Sequence, residues 1–407
     1  MTAPGVQEPP GAFALGRIPR ITFGPGSFAR APEIVGAHGS TVLLVTGGRS
    51  LAASGRLEVL VGGLSAAGVS VAGTVTVAGE PSPAVVDAAV AASRDRAVDV
   101  VLGIGGGSVL DAAKAIAGLL RTGTSVLDHL EGVGPQLPYS GPSIPFVAVP
   151  TTAGTGSEAT RNAVITQRGP AGFKRSFRDE RLVAADAVVD PDLLAGADPV
   201  QIAANGMDAV TQLLEAFVST KAGPLTDALA LAGLAAARDG LLAWHADPDG
   251  PAAPPARSRM AYAALLSGIC LAHAGLGGVH GLASPLGAQL PIPHGVACGA
   301  TLAGVTAANV TALETREPAS PALARYAALG RLLARLPEAA PDDEARAALV
   351  ATLMAWTGVL AMPGLRAFGL DEGGIPAIVA DARGSSMRTN PVVLTDQELA
   401  EVLLAAL

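Results

Sequence analysis

Cysteine is scarce in this 407-residue chain: there are two, Cys270 and Cys298, far apart and without a CxxC pair. That spacing excludes a disulfide framework or a zinc–thiolate site and fits a reducing compartment. Aromatic residues make up only 3%, too few to build a stacking platform for single-stranded nucleic acid. Positive charge is short as well, with 27 Lys and Arg against 35 Asp and Glu and a net charge of −8. No basic face is left to neutralise a phosphate backbone, so nucleic acid is excluded as a partner. Residues 1–20 carry Pro9, Pro10 and Gly11 but no apolar core segment, so no secretory signal is expected. The longest uncharged apolar stretch, 347–365, is interrupted by Thr352, Thr357, Gly358 and Pro363. It reads as a buried helix broken near Gly358 rather than a membrane span. The expectation is a cytoplasmic protein with no membrane contact.

Hydrophobic residues, by contrast, make up 50% of the chain, enough for a large core spread over two or three domains. Up to about residue 191, short β-rich runs alternate with Ala-rich helical runs. The run 42–46 (VLLVT) is continuously apolar up to Gly47-Gly48, as in a strand buried on both faces. Residues 70–77, 98–102 and 145–150 read as further strands, and 82–94 and 111–120 as helices. This alternation implies a parallel sheet with helices on both faces. After Pro199 helical spacing dominates, over 201–220, 225–244, 257–274, 322–336 and 343–356, with 246–255 (ADPDGPAAPP) as a Pro-rich surface connection. A capping-box spacing, Thr395 to Glu398, opens the last helix. The expected fold is an α/β Rossmann-like domain over 1–196 and an all-helical domain over 197–407, with a ligand cleft between them.

Two loops have phosphate-binding character. Gly103-Ile104-Gly105-Gly106-Gly107-Ser108 follows an expected strand and opens a helix, so free amides at the helix N-terminus and glycine backbone could meet a pyrophosphate. Its spacing matches neither GxGxxG nor a GK[ST] loop, and a plain tight turn is the alternative. The hydroxyl-rich stretch Pro150-Thr151-Thr152-Ala153-Gly154-Thr155-Gly156 also follows a strand. That position is the carboxyl end of the sheet, where ligands bind in open α/β folds.

The six histidines are not scattered: His273, His280 and His294 fall within a short interval. Two of these lie in a region almost devoid of other polar groups, which points to a metal or catalytic site more than to isolated core imidazoles. Upstream, Asp208 and Gln212 are spaced i, i+4 on an otherwise apolar helix and share one face. The carboxylate reads either as a helix-end contact or as a metal ligand with His280 and His294.

Taken together, these residues resemble the iron-containing (group III) alcohol dehydrogenase family. The resemblance rests on GGGSVLDAAKAIA from Gly105, PTTAGTGSEAT from Pro150, VDPDLL from Val189, NGMDAVTQLLEAFVS from Asn205 and GLGGVHGLASPLGAQLPIPHGV from Gly275, and it covers nearly the whole chain. It implies hydride transfer between NAD or NADP and a small carbonyl or alcohol, in a family where homodimers are common. By position, Gly105, Gly106, Gly107 and Ser108 would cradle the pyrophosphate, with Thr151, Thr152, Thr155 and Lys174 lining the nucleotide. The metal set, for iron or zinc, would be Asp208, Gln212, His280 and His294.

The chain departs from the family pattern where Gln212 replaces a histidine, a weaker donor that lowers affinity for iron or zinc. Ser284 stands where relatives often have a relay histidine, so Ser284 or His273 is the expected proton path. After the first strand, Gly47, Gly48, Arg49 and Ser50 offer no carboxylate to repel a 2′-phosphate, which favours NADP. Few basic residues between Asp208 and Val305 favour a neutral substrate. A metal-independent reductase of the maleylacetate reductase type is the alternative that Gln212 suggests. A dehydroquinate-synthase-like cyclase fits less well, because it needs a basic phosphate pocket.

Overall fold

A computed structural model describes residues 13–48, 50–168 and 172–407. Its strands are β1 (Arg20–Phe23), β2 (Thr41–Gly47), β3 (Ser70–Val77), β4 (Val100–Gly105), β5 (Phe146–Pro150), β6 (Asn162–Gln167), β7 (Phe173–Arg178) and β8 (Asp186–Val189). Six of them form one parallel sheet in the order β1-β8-β5-β4-β2-β3. The alternation of side chains along β4 explains the layers. Val101 faces the helix Gly107–Leu119 through Leu110 and Ile116, while Val100, Leu102 and Ile104 pack with Leu60, Leu64 and Val35 on the opposite face. Both faces are thus covered, which is why these strands read as unbroken apolar runs.

The chain runs outward from β2 to β3 and then returns to β4 on the other side of β2. The reversal makes the gap between β2 and β4 the crevice in which ligands of such sheets lie. Registers Thr46↔Ile104 and Gly105↔Pro150 bring the ends of β2, β4 and β5 to one edge. The Gly47-Gly48, Gly105–Ser108 and Thr151–Thr155 segments therefore leave the sheet side by side.

Among the described residues, no strand follows Val189. Helices Pro199–Val218, Pro224–Ala246, Ala253–Ala274, Gly278–Gln289 and His294–Arg316 build the second core, closed by Pro321–Leu333, Asp342–Val359 and Asp396–Ala405. The loop after β5 is locked into this core at one point. Gly156 lies at φ +59, and a Cβ added to Gly268 would sit 2.0 Å from the Gly156 carbonyl oxygen. Only glycine at both positions permits that backbone approach.

Several expectations change. The helix expected at 111–120 begins at Gly107, because the glycine loop itself supplies its first turn. The 246–255 connection is shorter than expected, since a helix starts at Ala253 and uses Pro254 and Pro255 in its first turn, where no N–H is needed. The 347–365 stretch is not a buried helix: Met354 and Val359 are exposed, and the helix Asp342–Val359 buries one stripe, Ala345, Leu349, Leu353 and Trp356. The antiparallel hairpin β6–β7 was not legible in the sequence, because Lys174, Arg175 and Arg178 put charge on both faces of β7 and break the apolar alternation. One described helix, His294–Arg316, is long and apolar enough to cross a membrane, but 67% of its most apolar window is buried inside the protein. It is a core helix, and it carries two of the groups described next.

Candidate metal and dinucleotide site

Three helices supply a polar cluster inside the second core. The buried part of the helix Pro199–Val218 is apolar apart from Thr211, whose hydroxyl donates to the Met207 carbonyl, and the stripe Asp208, Gln212 and Glu215, spaced i, i+4 and i+7. The helix Gly278–Gln289 brings His280, and the first turn of His294–Arg316 brings His294, with Cys298 one turn later. Donor atoms of Asp208, His280, His294 and Cys298 all lie within 4.8 Å of one another. Asp208 Oδ1 is 3.4 Å from His280 Nε2 and 3.7 Å from His294 Nε2. Cys298 Sγ is 3.8 Å from each of the same two nitrogens.

Glu215 sets the orientation of the cluster. His280 donates from Nδ1 to Glu215 Oε2 at 2.6 Å, while Glu215 Oε1 accepts from the Val279 amide at 2.6 Å. With Nδ1 engaged, the Nε2 of His280 is the atom presented to the cluster, the arrangement that carboxylate partners impose on metal-ligating imidazoles. Burial would raise the Asp208 carboxyl, but His294 and His280 beside it outweigh that and hold it down to about 2. Burial pushes His294 down to about 4 against the pull of Asp208, so its imidazole is neutral at neutral pH. Burial likewise pushes the Cys298 thiol up to about 11.

One atom tests whether a cation fits here. Asp208 Oδ1 is buried and has no hydrogen-bond partner. A buried ionised oxygen without a donor is costly, and a divalent ion among these donors removes the cost. The residues present fit such an ion.

The glycine loop after β4 and the hydroxyl-rich loop after β5 meet across the β4–β5 edge. Thr151 donates its amide to the Gly105 carbonyl at 2.9 Å. A Cβ on Gly107 would lie 2.7 Å from the Thr155 side chain, so the two loops interlock only because residue 107 is glycine. A cleft of about 1110 Å³ runs from Gly107, Ser108 and Thr155 past Lys174 to Asp208, Gln212, His280 and His294. That is room for a dinucleotide and a small molecule.

Two family models match the chain: iron-containing alcohol dehydrogenase over residues 19–191, and the C-terminal domain of the Fe-containing alcohol dehydrogenase family over 202–407. The chain belongs to the iron-containing alcohol dehydrogenase family. It is similar to alcohol dehydrogenase 4 of Saccharomyces cerevisiae, 35% identical over 72% of this chain and 75% of that one. Among solved structures it resembles a 1,3-propanediol oxidoreductase, with a TM-score of 0.87 and 28% identity over 98% of this chain and all (100%) of the other. It also resembles the sulfoacetaldehyde reductase of Bifidobacterium kashiwanohense, in a structure described as a complex with NAD+, with a TM-score of 0.82 and 26% identity over 97% of this chain and 99% of the other. The protein is thus an alcohol dehydrogenase-type oxidoreductase acting on a small alcohol or its aldehyde or ketone.

Within this dehydrogenase fold, the residues singled out from the sequence fall into groups. Asp208, His280 and His294 converge. Gln212 lies beside them, with its Oε1 accepting from Ser267 Oγ at 3.1 Å. Ser284 sits one turn after His280 on the same helix face and lines the cleft. His273 also lines the cleft but accepts the Gly16 amide on Nδ1 at 3.1 Å, near Glu180 and Arg161 rather than within the donor cluster. Lys174 donates to Glu80 at 2.5 Å and lies against Gly287 of the His280 helix. Gly47, Gly48, Gly105, Gly106, Thr151 and Thr152 are at the carboxyl edge of the sheet and do not line the cleft. Arg49 and the side chain of Ser50 lie outside the described residues.

Two residues were missed, and two expectations are corrected. Glu215 was detectable as the i+7 member of the Asp208 stripe. Cys298 was detectable as i+4 from His294. The absence of a CxxC pair was read as excluding a thiolate site, yet a single thiol reaches the cluster because the helix returns it to the face of His294. The cleft is also less neutral than the helical half suggested. Arg161, Arg175 and Arg178 from the hairpin region, with Lys221 and Arg388, line its wall.

Proposed function

We propose that the protein is an NAD(P)H-dependent carbonyl reductase and alcohol dehydrogenase whose dinucleotide enters at Gly107 and Ser108 and ends beside Asp208, His280 and His294. The observation that carries this reading is the continuity of one cleft from the glycine loop to the histidine cluster. When bound there, the divalent metal supplies Lewis-acid polarisation of the substrate oxygen and the nicotinamide supplies or accepts hydride. Asp208, His280 and His294 hold the ion, and Glu215 keeps the His280 ring turned toward it. Gly107, Ser108 and the N-terminus of the Gly107–Leu119 helix bind phosphate oxygens, and Thr155 and Lys174 line the nucleotide. Ser284 and His273 lie along the cleft wall and offer the proton path to solvent. NADP is the preferred dinucleotide, because no carboxylate follows β2 to repel a 2′-phosphate.

A screen of simple and acid-bearing aldehydes with NADH and NADPH in parallel tests this reading. Consumption of either cofactor is expected. In the same assay, Gly107→Ala should raise the KM for the dinucleotide by roughly tenfold or more with a smaller change in carbonyl KM, because its methyl group displaces Thr155. No cofactor oxidation with any carbonyl would refute the reading.

Assembly as a cytoplasmic homodimer is the accompanying proposal. Strand β1 is an edge of the sheet, and Phe13, Leu15, Ile18, Ile21 and Phe23 on or next to it are exposed. An apolar, unpaired edge is a natural surface for a second copy. Light scattering of the wild type should give twice the chain mass, and Ile21→Glu with Phe23→Lys should shift it to a monomer. A wild-type monomer at micromolar concentration would rule the dimer out.

A further inference from the structure

We infer that Cys298, and not Gln212, is the fourth protein ligand of the metal centre, making it a mixed carboxylate–imidazole–thiolate site. The inference rests on the metal-dependent reading above and concerns which side chain completes it. Cys298 Sγ is buried at equal distance, 3.8 Å, from the two imidazole nitrogens that face Asp208. These four donors therefore surround a common point, the requirement for a compact polyhedron around one ion. The orphaned Asp208 Oδ1 faces the same point.

Gln212 fits the role poorly in this geometry. Its only strong donor atom, Oε1, lies 3.1 Å from the Ser267 hydroxyl, and its amide nitrogen cannot coordinate a cation. His294 and Cys298 are i, i+4 on one helix, a spacing that places two ligands on one face without bending the backbone.

Binding a divalent ion breaks the S–H bond, forms a metal–sulfur bond and releases the proton to solvent. A thiolate is a soft donor, so the site favours zinc or cobalt over manganese or magnesium.

Titration of the metal-stripped full-length protein with Co2+ alone reads the ligand directly. Thiolate-bound cobalt has an intense near-ultraviolet charge-transfer band that oxygen and nitrogen ligands do not produce. The wild type should show this band at one equivalent, and Zn2+ should abolish it by displacement. Cys298→Ser should lose the band and bind Co2+ at least about tenfold more weakly. Cys270→Ser, which alters a thiol outside the cluster, should keep the band, as should Gln212→Ala. The wild-type spectrum settles the matter even if the Cys298 variant fails to fold. Cobalt uptake with visible ligand-field bands but no charge-transfer band overturns the thiolate assignment and leaves the metal-dependent reading intact. A band lost in Gln212→Ala but kept in Cys298→Ser also overturns it. Absence of any cobalt uptake overturns both.

Discussion

Replacing Asp208 by Ala is expected to lower kcat/KM for carbonyl reduction by about 10²–10⁴-fold, since Lewis-acid stabilisation of a developing alkoxide is worth several kcal/mol. The same variant should retain little metal after dialysis, because it removes the carboxylate among the four clustered donors. Stability should not fall in parallel. The cluster without an ion leaves Asp208 Oδ1 buried and unpartnered, so deleting the carboxylate relieves a cost as well as removing contacts to His280 and His294. A milder companion is Glu215→Gln. It keeps the shape and a hydrogen-bond acceptor for the Val279 amide, but weakens the carboxylate that orients His280, and should reduce metal affinity by about 10–100-fold. Metal content, thermal midpoint and steady-state kinetics on the three proteins separate these effects. An Asp208→Ala enzyme that reduces carbonyls at the wild-type rate without metal would establish the metal-independent alternative.

The second large effect lies outside the cluster. Lys114 is completely buried on the Gly107–Leu119 helix, and its Nζ lies within hydrogen-bond distance of Ser157 O (2.9 Å), Ser157 Oγ (3.1 Å), Thr160 Oγ1 (2.8 Å) and Asn162 O (2.6 Å). One ammonium thus ties the helix that begins at the glycine loop to the loop after β5 and to the start of β6. Lys114→Met keeps the length and removes every donor. It leaves buried acceptors unsatisfied and Glu158 and Asp111 without their cation, so a loss of about 3–5 kcal/mol is expected. A chemical denaturation midpoint within error of the wild type would show that the loop holds itself.

The pH dependence of stability has a sign fixed by the same group. Burial pushes Lys114 down to about 8, with Asp111 and Glu158 opposing, and pushes Glu158 up to about 7 against Lys114. A lysine depressed in the folded state contributes stability above its unfolded value of 10.5 and loses it as pH falls through 8. A glutamate raised in the folded state contributes below its unfolded value of 4.5 and loses that as pH rises through 7. The contribution of this pair is therefore least between those limits, near pH 7–8. Urea midpoints should rise on either side of that window relative to a Glu158→Gln, Lys114→Met double variant. A flat difference would mean that water reaches the pair.

The strands around Val42–Val45 and Val98–Leu102 were legible because strands covered on both faces need continuous apolar runs. The glycine loops were legible because backbone close to a phosphate or to another loop tolerates nothing larger. The β6–β7 hairpin was not, since β7 carries charge on both faces and the hairpin's burial comes from the helix beneath it. The 347–365 stretch misled for a related reason: low charge alone does not separate a buried helix from one that merely lies on the core.

Local periodicity determines, from the sequence alone, which side chains share a face: Asp208 with Gln212, which was read there, and Glu215 with Asp208 and Cys298 with His294, which were overlooked. Those pairings follow from 3.6 residues per turn and need no neighbours. Which faces look at one another was settled only by the packing of three helices, and that placed Glu215 behind His280, Cys298 between two imidazoles, and Gln212 against Ser267. Helix rotation and separation depend on how buried side chains such as Met207, Val210 and Leu302 fill shared space. That is a property of the assembled core, which no single segment encodes.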